Sequence, residues 1–197
     1  MGLEVSACDL SITAINLTKK SLEIFDLIAD VKEGNAEDLP YDNEAFDLIN
    51  CQGVIHHTPD TEKCIHEFFR VLNPGGLACF SVYHRNFILR TPFLLILTTK
   101  LLSKYIALEG RGRDDLLKSN NPDEIVRLYD GKENPIGKSF LKDEIRDMIN
   151  RANFEFIKTW YAYFPARALP IKIPSKLHHV LNNRLGLLIV FLVKKPI

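Results

Sequence analysis

Short apolar runs alternate with longer amphipathic segments over the first 82 residues of the chain. The run at 46–51 is brief, apolar and bounded by polar turn residues, a pattern typical of a buried strand. Apolar positions at 59–72 recur at helical spacing, and Thr58-Pro59 is a favourable helix entry. Further elements are predicted as strands at 3–8, 27–33 and 77–82 and as a helix capped by Ser11. This alternation predicts a parallel sheet with helices on both faces.

Residues 83–138 interrupt the alternation with a mixture of strongly apolar and polar segments. The elements predicted beyond residue 82 are helices at 91–110 and near 122–129, a helix capped by Ser139, an aromatic strand at 154–164 and a fully buried strand at 185–193. At 197 residues the chain is long enough for one sizeable core and short for two. We therefore predict a single α/β domain over 1–197.

The charge balance of the chain disfavours a nucleic-acid partner. Lys plus Arg total 25 and Asp plus Glu total 25, so the chain has no overall basic footprint. Lys194 and Lys195 stand together near the end and are interpreted as a solvated strand end. We expect no nucleic-acid partner.

The cysteines and the apolar stretches indicate the compartment. Four cysteines, Cys8, Cys51, Cys64 and Cys79, occur without a C-x-x-C pair and are interpreted as buried, reduced thiols. No signal peptide is visible, and the longest uncharged apolar stretches fall short of the roughly 20 residues that span a bilayer. These features predict a cytoplasmic chain with no transmembrane segment.

Three motifs occur in order: GNAEDLPY at 34–41, FDLINCQGVIHH at 46–57 and RVLNPGG at 70–76. With them the chain resembles the class I S-adenosylmethionine-dependent methyltransferases, specifically the small-molecule, methyltransferase type 11-like branch. The resemblance implies a Rossmann-like, mostly parallel sheet whose antiparallel edge is formed by the aromatic strand and the last strand. It also implies S-adenosylmethionine as cofactor and methyl transfer to a small-molecule or lipid-like acceptor.

The resemblance implies cofactor contacts at the ends of the first strands. Asp9 would accept hydrogen bonds from the ribose hydroxyls, although an acid there could also simply begin the next helix. Asn35, Ala36 and Glu37 would lie against the adenine, with Asn35 in the place of the family's usual Asp. An Asx turn alone would also explain Asn35 before a loop.

Past the strand at 46–51 the chain has several permissive or polar residues. The resemblance places Gln52 and Gly53 at the methionine end of the cofactor, where a glycine permits close approach. One of His56 and His57 would face the acceptor as a general base or a polar wall. Adjacent histidines cannot share one helical face and no other ligand stands at zinc spacing, so no metal is predicted.

Acceptor contacts are predicted at Tyr83, Tyr129 and Asp130, each of which could equally be packing or surface. The resemblance makes 83–138 a helical insertion that covers the acceptor. An ordinary helical layer on the sheet and an amphipathic helix at a membrane surface are the alternatives.

The chain departs from the family pattern before Asp9. The family's first strand and glycine-rich loop have no counterpart here, so the strands at 3–8 and 46–51 would each expose an unpaired edge. We expect these strands to close up, or a partner chain to complete the sheet, and we expect weak cofactor binding by a truncated chain. A non-catalytic binding module and an NAD-dependent oxidoreductase remain alternative functions, the second without a G-x-G-x-x-G motif.

Overall fold

The computed structural model of the chain describes residues 2–91, 93–94, 97, 119, 121–164 and 173–197. Most of the helix predicted at 91–110 and of the polar connector after it lies outside the described residues. No helix in the described part of the chain is long and apolar enough to cross a membrane.

Strands and helices alternate in the order that the hydrophobic pattern predicts. The elements are β1 (Ser6–Asp9), α1 (Ile12–Ile24), β2 (Asp30–Glu33), β3 (Phe46–Cys51), a 3₁₀ turn (Ile55–His57), α2 (Thr61–Val71), β4 (Leu72–His84), α3 (Phe87–Arg90), α4 (Pro122–Asp130), β5 (Ser139–Phe140), α5 (Lys142–Arg151), β6 (Glu155–Ala162), α6 (Ser175–Leu185) and β7 (Leu188–Lys194). The predicted final strand is therefore a strand, and the short helix predicted near 122–129 is α4.

The strands form two hydrogen-bonded groups. In the larger, the order is β3-β4-β7-β6, with β5 paired to β4. The β3–β4 and β4–β5 pairs are parallel, whereas β7 runs antiparallel to both β4 and β6. This confirms the predicted mostly parallel sheet with an antiparallel edge.

Strands β1 and β2 form a separate parallel pair. Among the described residues no ladder joins β1 to β3, so these two strands have not closed up against each other. Apolar side chains beside this gap are exposed, including Val5, which is 51% exposed, and Leu48, which is 59% exposed. The structure thus leaves the facing edges of β1 and β3 without strand partners within the described residues.

The core lies between the larger sheet and helices α2 and α5. Phe80 of β4 and Phe191 of β7 are fully buried and stack with ring centroids 5.6 Å apart. The other core members include Ile65 and Phe68 from α2 and Ile145 and Ile149 from α5. Each of these helices presents its apolar face to the sheet, as amphipathic helical spacing requires.

Two predicted helix starts are wrong. Helix α2 begins at Thr61, and Asp60 rather than Thr58 caps it by accepting a hydrogen bond from the backbone N–H of Lys63 at 3.0 Å. Ser139 lies in β5, where its hydroxyl donates to Asp123 Oδ1 at 2.7 Å. Helix α5 begins later, after Leu141.

The turn at 73–76 is held from the far end of the chain. Gly75 has φ of +83°, the positive value predicted for it, although β4 as a whole begins earlier, at Leu72. The buried ammonium of Lys195 donates to the Leu72 carbonyl at 2.8 Å and to Glu44 at 3.2 Å. Lys195 is therefore not the solvated residue that was predicted.

All four cysteines are free, but only Cys64 is buried. Cys8, Cys51 and Cys79 are half-buried, so the prediction of four buried thiols is wrong for three of them. Burial raises the pKa of Cys51 to about 12 and that of Cys64 to about 11. Neither thiol is activated as a nucleophile.

We predict that Phe191→Ala lowers the free energy of unfolding by about 3–5 kcal/mol, because it opens a cavity beside Phe80. The matched change Leu48→Ala removes a mostly exposed side chain and should alter it by about 0.5 kcal/mol or less. Urea denaturation followed by circular dichroism measures both. Equal losses in the two variants would contradict this account of the core.

Candidate functional site

A pocket of about 310 Å³ opens at the carboxyl ends of β3, β4 and β6. Its lining residues are Gly53, His56, His57, Tyr83, Tyr129, Asp130, Tyr163 and Leu188. These include every residue predicted to face the acceptor, and they come from segments well separated in sequence. Parallel strands place their carboxyl ends at one edge of a sheet, the usual position of a ligand crevice in open α/β folds.

Gly53 turns the chain out of β3 and into the pocket. Its φ is +75°, a value that favours glycine, and its backbone N–H donates to Ser81 Oγ at 3.0 Å. No protein atom lies within 4 Å of the position a Cβ would take, so the backbone conformation rather than close protein packing requires glycine here. Gln52 is exposed and donates to Asn50 Oδ1 and to the Cys79 carbonyl.

A charged network joins His57, Tyr83 and Asp130. The Tyr83 hydroxyl donates to Asp130 Oδ1 at 2.6 Å, and Nδ1 of His57 lies 2.7 Å from the Ile136 carbonyl. The other ring nitrogen of His57, Nε2, lies 3.2 Å from Asp130 Oδ2. We describe this last contact as an ion pair, because the distance is short but Oδ2 has no hydrogen bond of acceptable geometry.

The network moves the pKa values of its members in opposite directions. Burial alone lowers the pKa of His57, but hydrogen bonding and charge from Asp130, with the Ile136 carbonyl, raise it above 6.5 in total. Burial raises the pKa of Asp130, yet the contacts with His57 and Tyr83 bring it below 3.8. Burial and the neighbouring carboxylate hold the pKa of Tyr83 above its usual value. His57 and Asp130 therefore carry opposite charges below the raised pKa of His57.

His56 differs sharply from its neighbour. It is 1% exposed, its ring centroid lies 4.5 Å from that of Tyr83, and its Nδ1 has no hydrogen-bond partner. Burial lowers the pKa of His56 to about 3, with a further contribution from the charge of His57. The imidazole is consequently neutral at physiological pH. The sequence alone did not separate the two histidines.

Asp9 ends β1, as predicted, and its side chain is exposed. Its Oδ1 accepts a hydrogen bond from the backbone N–H of Ser11 at 2.8 Å, so Asp9 also orders the start of α1. An ionised carboxylate has about four acceptor positions, and this contact occupies one of them.

The loop after β2 lies close to the segment that follows β3. Asn35 Oδ1 accepts from the Glu37 N–H at 3.0 Å, which is the Asx turn considered as an alternative. Ala36 packs against the main core, and Glu37 Oε1 accepts from the Asp60 N–H at 2.7 Å. Glu37 thus has a structural contact that the sequence did not reveal, and it holds the loop near the candidate pocket.

A second, larger cleft of about 490 Å³ lies elsewhere, beside Tyr41 and Arg70. The Arg70 guanidinium there is already bonded to Glu67 and to the carbonyls of Leu39 and Tyr41. The Arg70 cation is therefore engaged within the protein, and none of the predicted acceptor residues lines this larger cleft. We consider the smaller pocket the candidate site.

Comparison with known proteins agrees with this geometry. Residues 1–80 match the family described as "Methyltransferase domain". The ubiquinone biosynthesis O-methyltransferase of Azoarcus sp. (strain BH72) is 32% identical over 127 residues, which cover 64% of this chain and 52% of that protein. The chain thus spans about half the length of this curated relative.

Solved structures share the fold at low identity. A SAM-dependent methyltransferase from Methanosarcina mazei aligns with a TM-score of 0.61 at 19% identity, covering 98% of this chain and 82% of that one. The [4+2]-cyclase SpnF aligns with a TM-score of 0.62 at 13% identity, covering 99% and 67%. Residues 1–80 match the methyltransferase domain family, and the chain has the fold of the S-adenosylmethionine-dependent methyltransferases. The cofactor of this family is S-adenosylmethionine.

We predict that Asp130→Asn lowers the pKa of His57 in metal-free protein, because the carboxylate is lost while the burial that opposes protonation remains. Histidine NMR titration measures the change, and Asp147→Asn, which replaces an exposed acid on α5, is the control.

The same ion pair makes the stability of the fold depend on pH. Because the pKa of His57 is raised in the folded state, protonated His57 stabilises the fold below pH 6.5, and this stabilisation is lost as the pH rises through the folded-state pKa of His57. Asp130→Asn should therefore cost more stability at about pH 6 than at about pH 9. An unchanged His57 titration would contradict the ion pair.

Proposed function

We propose that the chain takes part in S-adenosylmethionine-dependent methyl transfer to a small-molecule or lipid-like acceptor. The observation that carries this proposal is the position of the pocket directly beyond Gly53, where β3 ends and the loop after β2 is tied by Glu37. A cofactor in the crevice would then have the acceptor pocket as its neighbour.

The cofactor contacts follow from the ends of the strands. Asp9 would bind the ribose hydroxyls with the acceptor positions that Ser11 leaves free. Asn35 would accept from the adenine amine through the second lone pair of its amide oxygen, beside Ala36. Gln52 and Gly53 would line the methionine end. These roles are part of the proposal.

When bound, the cofactor supplies a methyl group already activated on a sulfonium, so the protein mainly aligns the nucleophile and excludes water. Tyr83, Tyr129, Tyr163 and Leu188 give the pocket an aromatic and apolar lining suited to a hydrophobic acceptor. His57 and Asp130 could orient a polar group of that acceptor. The name of the curated relative, an O-methyltransferase, favours oxygen as the accepting atom.

His57 is the histidine that we assign to the acceptor, as base or polar wall. Its side chain is 26% exposed beside the pocket, whereas His56 is buried and a much weaker base. We assign His56 to positioning His57, since the two ring centroids lie 4.2 Å apart. The four free thiols suit a reducing compartment, and we propose a cytoplasmic location.

The test of the cofactor site is Asp9→Ala with calorimetric titration of S-adenosylmethionine. Loss of hydrogen bonds to a charged group should weaken binding by at least about tenfold. Asp147→Ala, which removes an exposed acid on α5, is the matched control and should bind as the parent does. Equal affinity in Asp9→Ala and the parent would remove Asp9 from the site.

The unpaired edges of β1 and β3 favour a second candidate function, in which the chain is a binding module and a strand from a partner chain completes the sheet. Exposed backbone edges recruit strands through main-chain hydrogen bonds. The exposed apolar side chains Val5 and Leu48 lie beside this gap. In this function the crevice need not bind cofactor.

We expect the two functions to differ in their response to concentration and to cofactor. A binding module that lacks its partner should self-associate through the exposed edges as its concentration rises, and light scattering on size-exclusion fractions measures this. A chain that stays monomeric and binds S-adenosylmethionine would exclude the second function.

A further inference from the structure

Two buried polar atoms beside the pocket lack any hydrogen-bond partner. They are Nδ1 of His56 and Oδ2 of Asp130, and the only other such side-chain atom among the described residues is the Tyr41 hydroxyl. Ligand atoms of His56, His57 and Asp130 all lie within 4.8 Å of one another. We propose that these three side chains form a binding site for one divalent transition-metal ion, with Zn²⁺ as the best fit.

When His57 is neutral, the facing atoms of His57 and Asp130 have no proton between them. Nδ1 of His57 lies 2.7 Å from the Ile136 carbonyl and 3.0 Å from the Asn134 side-chain amide. A backbone carbonyl only accepts, so the shorter of these contacts favours the tautomer of neutral His57 with its proton on Nδ1. The lone pair of Nε2 then faces Asp130 Oδ2 across 3.2 Å, and two lone pairs at that distance repel. The unpaired Nδ1 of His56 adds a third donor. A metal ion accepts electron pairs from all three atoms at once, whereas a single proton serves at most two.

Two of the three proposed ligands, His57 and Asp130, are already held by a second polar contact. His57 is fixed through the Ile136 carbonyl, and Asp130 Oδ1 receives the Tyr83 hydroxyl at 2.6 Å. The His56 ring instead packs against the Tyr83 ring, with centroids 4.5 Å apart. Metal-binding histidines and carboxylates are normally oriented in this way by a carbonyl or a hydroxyl behind them.

The separations fit a zinc ion after a small adjustment. Tetrahedral zinc with N and O ligands at about 2.1 Å holds its ligand atoms about 3.4 Å apart. The His57–Asp130 pair, at 3.2 Å, is already at that spacing. The widest separation, 4.8 Å, must shorten by about 1.4 Å, which a change in imidazole orientation can supply.

The rings of the two histidines lie close together although the residues are adjacent in the chain. They occupy the 3₁₀ turn Ile55–His57, where their rings are inclined at 58° with centroids 4.2 Å apart. Adjacent residues leave a 3₁₀ turn about 120° apart, so the rule that adjacent residues leave a helix on different faces holds here as well, and the rings meet through their side-chain conformations. The prediction of no metal rested on that rule and on sequence spacing, which could not include Asp130.

The donor set and the pocket define what the site would bind. Two imidazoles and one carboxylate suit zinc, whereas magnesium prefers oxygen ligands and keeps its waters. Three protein ligands leave a fourth position, and the pocket adjoins all three. That position would take water or an oxygen donor of a small molecule.

The experiment is titration of Co²⁺ into the chelator-treated 197-residue chain without a polyhistidine tag, followed by visible absorption, and competition by Zn²⁺. We expect one ion per chain and a thermal unfolding midpoint that rises with Zn²⁺. Asp130→Asn and His57→Asn should each weaken binding by at least about tenfold. Tyr83→Phe, which removes only the contact behind Asp130, should weaken binding while leaving one ion per chain.

The control is the double variant His66→Gln, His179→Gln, which removes two exposed histidines outside the proposed site. It should bind Co²⁺ as the parent does. Circular dichroism shows whether each variant is folded, and Asp130→Asn and His57→Asn alter side chains that are only partly buried. Absence of binding in the parent, loss of binding in the control, or full affinity in a folded Asp130→Asn would each overturn the proposal.

Discussion

Strand β4 pairs with three other strands, and the candidate pocket depends on that pairing. Its ladders to β3, β7 and β5 fix the edge at which Gly53, Tyr83 and Leu188 meet. The stacked pair Phe80 and Phe191 locks β4 to β7 from within the core. Burial of these large rings supplies the main favourable term, because the hydrophobic effect scales with the apolar area removed from water. A disturbance at β4 therefore reaches every wall of the pocket.

Helix α4 completes the pocket from outside the sheet and is held at both ends. At its start, Asp123 accepts hydrogen bonds from the backbone and the hydroxyl of Ser139 in β5. At its end, Arg127 donates to the carbonyls of Lys132 and Asn134, and a Cβ on Gly137 would lie 2.5 Å from the Arg127 Cα. The loop 131–138 can follow α4 this closely only because residue 137 is glycine. These contacts fix α4 in place, and with it the position of Asp130 beside His57.

The hydrophobic pattern was sufficient for the order of strands and helices, since burial on one face leaves a period in the sequence. It correctly predicted Ser11 as the cap of α1 but failed at the start of α2, where Asp60 and Thr58 are both good caps. Asp60 accepts from the Lys63 N–H, whereas the Thr58 hydroxyl donates to the Ile55 carbonyl. From the sequence, one of His56 and His57, together with Tyr83, Tyr129 and Asp130, was predicted to contact the acceptor, and the structure places these side chains around one pocket. Their charges could not be predicted, because those depend on pairings between residues 47 or more positions apart. Burial of His56 was likewise invisible in the sequence.

The attachment of α4 has a consequence for redesign of this molecule. The segment 122–138 carries one wall of the pocket, and it is joined to the sheet by β5, by the turn that bears His56 and His57, and by a buried apolar cluster with Tyr83 and Leu89. The opposite wall belongs to strands whose ladders do not involve that segment. The pocket thus has one wall formed by the sheet and another formed by the segment 122–138. Chimeras that replace the segment 122–138 but retain Ser139 and the buried side chains Ile125, Val126 and Leu128 should acquire new ligand preferences without a new core.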